Sequence, residues 1–137
     1  WPALSASALV KEHPQPLQPE DDYRLLNCCG IGFTDIVKRV VTNSMNVRAS
    51  EIRASAAAFR QRIIYASPRI ICFTTTRAFD VLHPGVRPAQ QWGRQPITIE
   101  GSATWVMPST SGRAVGYRPY VYRVLNELAL TLGRAGQ

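Results

Sequence analysis

The sequence predicts an α/β fold with a mainly parallel sheet, and three observations carry that prediction. Helix-like and strand-like patterns alternate along the chain, the order that builds parallel sheets. Residues 69–74 form a short β-branched run of the kind buried on both faces in a parallel strand. A second apolar run, 103–107, stops at Pro108 and opens into Ser109-Thr110-Ser111-Gly112-Arg113. Chemistry in open α/β sheets sits at the carboxyl ends of strands. The 137 residues, 45% of them hydrophobic, suit one domain with its own core, spanning residues 1–137.

Residues 1–10 are apolar and Ala/Ser-rich, enough for one or two helical turns. Pro14, Pro16 and Pro19 make residues 11–20 an extended connector. Asp21 is positioned to cap a helix running to about Cys29, and Gly30-Ile31-Gly32-Phe33 is a glycine-flanked turn. Thr34 is the expected N-cap of a short helix through Arg39, with Ile36 and Val37 packing inward. Residues 42–49 are polar and expected as a loop. The clearest helix begins after Ser50, where Ile52, Ala56, Phe59 and Ile63 recur at helical spacing. Arg53, Arg60 and Arg62 lie largely off that stripe, and Pro68 ends the segment. Residues 76–82 read as helix, followed by a Pro/Gly loop around Pro84, Gly85 and Pro88. Residues 95–99 and 103–107 read as two strands joined by Glu100-Gly101-Ser102 as a hairpin or near-hairpin. The last helix covers about 119–132, with Val121, Val124, Leu125, Leu128 and Leu132 as its apolar face and Gly133 as its stop.

The formal charge is +7, and of the sixteen basic residues only Lys11 and Lys38 are lysine. Arginine is the better bidentate phosphate donor and stacks on bases. A basic surface is the usual footprint of a nucleic-acid binder, although charge alone leaves a basic protein without such a partner equally open. Three cysteines, two of them adjacent, make a poor disulfide framework, and Cys72 reads as a buried small hydrophobe. His13 and His83 stand apart in Pro-containing loops and read as surface residues, so no metal or cofactor is expected. No apolar run approaches membrane-spanning length and no signal peptide is visible. An intracellular setting, the cytoplasm of a bacterium or a nucleus, fits.

The loop after Met107 has the chemistry of a DNA backbone clamp. Hydroxyls and backbone N–H groups bond phosphate. Glycine permits close approach. Arg113 suits insertion into the base stack, or a plain surface contact with phosphate. A second stretch, Gly30-Ile31-Gly32-Phe33-Thr34-Asp35-Ile36-Val37-Lys38-Arg39, places one carboxylate at a helix start. There Asp35 is either functional or a helix cap complementing the dipole.

These two stretches, with Gln91-Trp92-Gly93-Arg94-Gln95 between them, resemble the mismatch-specific uracil/thymine-DNA glycosylases of the uracil-DNA glycosylase superfamily. The resemblance implies a three-layer α/β/α sandwich. It implies base flipping and hydrolysis of the N-glycosidic bond of uracil, or thymine, in double-stranded DNA with G·U or G·T mismatches. It implies a monofunctional, monomeric enzyme without cofactor. Ser109 takes the place of a pocket residue. Ser111 and Gly112, with Thr110, contact DNA, and Arg113 is the wedge. Gly32, Phe33 and Thr34 join the DNA-binding set, and Asp35 is the candidate catalytic carboxylate that orients water or stabilises the sugar cation. Two departures stand out. The family's first motif, Gly-Ile-Asn-Pro-Gly-like with the water-positioning Asn, is expected upstream of Trp1, so the first strand is expected to be missing. Thr74-Thr75-Thr76 stands where relatives carry Asn-Gly-Lys or Gly-Lys. A non-catalytic or truncated DNA-binding relative is the alternative, and a generic arginine-rich α/β domain is the third reading.

Overall fold

A computed structural model describes residues 9, 19–37, 47–87, 91–108 and 116–133. Among the described residues the fold is mixed α/β, with a three-stranded sheet and five α-helices. In chain order these are α1 (Asp22–Cys29), α2 (Ala49–Ala54), α3 (Ala56–Ala66), β1 (Ile70–Phe73), α4 (Thr76–Leu82), β2 (Gly93–Ile99), β3 (Ser102–Val106) and α5 (Arg118–Thr131). The chain divides into two compact units, Asp35–Pro108 and Trp1–Thr34 with Ser109–Gln137.

In the Asp35–Pro108 unit the strand order is β1-β3-β2. β1 and β3 are parallel, with Phe73 opposite Val106, while β2 and β3 are antiparallel. The sheet is therefore mixed rather than mainly parallel. The cause is the two-residue connection between β2 and β3. Glu100 and Gly101 have φ of 50° and 83°, the paired positive values of a tight hairpin turn whose twist matches the strands. Such a turn can only return the chain antiparallel.

The helix expected after Ser50 is divided at Ser55, which takes φ −85° and ψ −5° between α2 and α3. Its stripe survives the division, with Ile52, Phe59 and Ile63 all buried. Ser67 ends α3 in the left-handed region at φ 47°, its N–H donating to the Ile63 carbonyl at 2.8 Å and its hydroxyl to the Ile64 carbonyl at 3.1 Å. Thr75 Oγ1 accepts from the Arg77 N–H at 3.1 Å and caps α4.

Phe59, Ile63, Phe73, Phe79, Ile99 and Val106 form the core of this unit, with Ile36, Ile71, Leu82 and Trp92 packed against it. Phe73 is its hub: its ring meets Phe79 edge-on at 5.3 Å and Phe59 at 5.9 Å. Each such pair contributes about 0.5–1.5 kcal/mol beyond area burial. His83, expected on the surface, is half-buried, its ring 5.2 Å from Phe79. The helical bond from its N–H to the Phe79 carbonyl, 2.8 Å, folds it back over that ring. Burial, with Arg60 nearby, lowers its pKa.

In the other unit, α1 stops at Gly30, which adopts φ 67° while its N–H and that of Ile31 close onto the Leu26 and Leu25 carbonyls, each at 3.1 Å. Leu25 is fully buried. α5 buries Val121, Val124, Leu125, Leu128 and Ala129 along one face, and Gly133 follows it at φ 73°.

Two outcomes test this packing. Phe79→Ala should cost about 3–5 kcal/mol in urea unfolding, the range for a fully buried aromatic. Burial also pushes the Cys72 thiol from 9.0 up to about 12. A raised folded pKa stabilises the fold below the unfolded value and loses that contribution as pH rises through the folded one. Stability should therefore decline between pH 9 and about 12, and Cys72→Ala should flatten that part of the curve.

Candidate functional site

The Phe73–Val106 register sets the carboxyl ends of β1 and β3 side by side. Gly93, which opens β2, pairs with Val106 at the same end. Three connections therefore meet there: Thr74-Thr75 after β1, Gln91-Trp92 before β2, and Met107-Pro108 after β3. The Met107 N–H donates to the Phe73 carbonyl at 3.0 Å, carrying the parallel pairing one residue beyond β3. Met107 and Pro108 are buried, so the chain leaves the sheet from a fixed point.

The start of β2 and the stretch before it each carry a polar lock that sequence patterns did not reveal. Gln95 is buried, and its Nε2 donates to the Gly93 carbonyl at 3.1 Å. Arg87 grips Asp80 on α4 through both carboxylate oxygens, at 3.0 and 2.6 Å, and its Nη1 reaches the Gln91 carbonyl at 3.4 Å. Arg87 lies seven positions after Asp80, across a Pro/Gly loop, so no helical or strand periodicity links them. Beside this stretch lies an open cleft of about 490 Å³ lined by Val86, Gln91, Arg94, Gln95 and Pro96.

Asp35 is exposed, and its backbone carbonyl accepts from Arg62 Nη2 of α3 at 2.8 Å. The expected helix from Thr34 does not form over its described residues: Thr34 and Asp35 are irregular, and Ile36 and Val37 lie in a bend. Arg62 takes the carbonyl that such a helix would have offered to its own backbone. The β-branched Thr34, Ile36 and Val37 also favour helix weakly. Asp35 is thus not in the first turn of a helix over 34–37, which removes the capping explanation offered for it there. Ile36 packs against the core as expected.

Gly32, Phe33 and Thr34 are exposed residues of the other unit, Phe33 by 50%. A Cβ at Gly32 would lie 3.6 Å from Leu26 Cδ1, an ordinary contact, so no crowding requires glycine there. Ser109, Thr110, Ser111, Gly112 and Arg113 lie outside the described residues.

Among the described residues, no three His, Cys, Asp or Glu side chains gather as a metal site. Among the same residues, no helix is long and apolar enough to cross a membrane. No protein-family model matches the chain.

The Arg87 clamp makes a direct prediction. Arg87→Lys keeps the charge but loses the two-pronged grip. It should cost about 1 kcal/mol, because Asp80 is half-exposed, and should speed amide exchange at Trp92 and Gly93.

Proposed function

We propose that the protein is a DNA glycosylase domain of the uracil-DNA glycosylase type. In this reading it hydrolyses the N-glycosidic bond of uracil, or thymine, in mismatched double-stranded DNA. The proposal includes a three-layer α/β/α sandwich, a monomeric, cofactor-free and intracellular enzyme, and a flipped target nucleotide. The observation that supports it most is the convergence of the Gln91-Trp92-Gly93 stretch and the Met107-Pro108 exit at the carboxyl end of the parallel pair. Both stretches carry the resemblance, and strand ends of this kind are where α/β sheets place their ligands.

In this mechanism the loop from Ser109 to Arg113 grips the backbone. Arg113 fills the space that the flipped nucleotide leaves. Ser109 faces the base in its pocket, while Ser111 and Gly112 meet phosphate. The sugar develops cationic character as the base departs. Asp35 serves that cation or orients water toward it, the electrostatic help such a transition state needs.

One observation favours the alternative, a DNA-binding relative that does not cleave. Asp35 is exposed, and among the described residues its backbone, not its carboxylate, is what Arg62 holds. A catalytic group works best when locked in place.

A single-turnover assay on a G·U duplex separates the two. The glycosylase reading expects uracil release, with Asp35→Asn slowing it at least about 100-fold, the usual scale for a positioned catalytic carboxylate. Salt-sensitive duplex binding with no base release would select the alternative.

A further inference from the structure

We propose that the exposed stripe at the start of α5, formed by its N-cap Tyr117 with Tyr120 and Arg123, is a stacking platform for single-stranded DNA. The three residues recur every third position and so lie along one side of the helix start. Their contacts are continuous. The Tyr117 and Tyr120 rings lie 6.4 Å apart with a 46° tilt, and the Arg123 guanidinium sits 5.3 Å over the Tyr120 ring. The rings remain 45% and 40% exposed while Val121, Val124, Leu125, Leu128 and Ala129 are buried. The buried face of the helix therefore lies apart from this partly exposed stripe.

Single exposed aromatics are ordinary on a protein surface. Two neighbouring rings capped by a guanidinium form a different surface. They offer successive flat faces on which unstacked bases lie, with a cation beside them for the phosphate. Charge points the same way. Arg118 is exposed beside the rings, and Arg123 makes only a weak, exposed pair with Glu127, the one acid of this helix, at 3.7 Å, which a phosphate can displace. A single strand uses both the ring faces and the charge, whereas an acidic peptide uses only the charge. In an intact duplex the bases are stacked on one another and have no faces to offer. The platform therefore goes beyond the proposed function: it takes strand that is already unpaired, as at a gap or a frayed end.

The test is fluorescence anisotropy of the full chain with a labelled oligo-dT of about 12 nucleotides, within the usual site size. Replacing both tyrosines (Tyr117→Ala with Tyr120→Ala) should weaken binding at least about 10-fold, the loss of two stacked bases. The paired Phe substitutions should bind like the parent, because a phenyl ring stacks as a phenol does. Arg123→Gln should lower the slope of log affinity against log salt by about 0.7, one phosphate contact on a single strand. Affinity for a blunt duplex should stay within about two-fold in the Ala pair, since duplex bases do not reach the rings. The platform is overturned if the parent does not bind oligo-dT, or if the Ala pair binds as the parent does. It is equally overturned if the Phe pair falls with the Ala pair, if duplex affinity drops in step, or if polyglutamate shows the same ring dependence. Base excision is not the readout, so an inactive parent leaves this test intact.

Discussion

The parallel pairing of β1 with β3 is the constraint on which the Asp35–Pro108 unit depends. It places Phe73 opposite Val106, and both enter the core. Side chains alternate along a strand, so a slip of one residue would bring Cys72 and Trp105 into that core and eject Phe73 and Val106. Ejecting Phe73 would break both of its edge-on ring contacts, with Phe59 on α3 and Phe79 on α4. Packing and register therefore specify each other. The same register aligns the carboxyl ends of the two strands, and the Met107–Phe73 bond extends it to the point where the chain leaves the sheet. The candidate site is a consequence of the core.

The hairpin adds the third strand at low entropic cost. Its loop has two residues, so β2 and β3 pair almost as soon as they form. The antiparallel return carries Gly93 back to the carboxyl end of β3, which brings the Trp92 stretch to the site. Arg87, anchored on Asp80, reaches the Gln91 carbonyl of that stretch, and the Gln95 side chain fixes the strand start at Gly93. Local turn chemistry, ring packing and two polar locks together position the backbone. No single strong interaction does so.

Much of this was legible in the sequence, for reasons specific to each element. The 76–82 helix, the strand before Thr74, the hairpin and the apolar face of α5 all announce themselves through periodicity or turn residues. The division at Ser55 was hidden because Ile52, Phe59 and Ile63 keep helical phase across it. The helix after Thr34 was expected from a cap residue and two apolar positions. It is absent over 34–37, where a guanidinium from α3 bonds the Asp35 carbonyl and three of the four residues are β-branched. The mainly parallel sheet was inferred from element order, yet a two-residue loop outweighs that rule between β2 and β3. The Arg87–Asp80 grip spans a Pro/Gly loop and the Gln95 bond runs two residues back to a strand carbonyl, and neither leaves a periodic trace. Of the candidate site residues, Asp35 and the exposed Gly32, Phe33 and Thr34 can be placed. The motif from Ser109 to Arg113 is legible only as sequence.

Arginine dominates the basic residues of a chain with net charge +7, and in the proposed function a DNA duplex meets that charge. In that proposal the duplex lies against the carboxyl end of the β1–β3 pair. Hydrogen–deuterium exchange with and without a G·U duplex tests this most directly. Protection should concentrate at Thr74-Thr75, Gln91 to Gln95 and the Met107-Pro108 exit, leaving the opposite end of the sheet unchanged. Protection confined to that opposite end, at Ser67 to Arg69 and the Glu100-Gly101 turn, would contradict duplex binding at the carboxyl end.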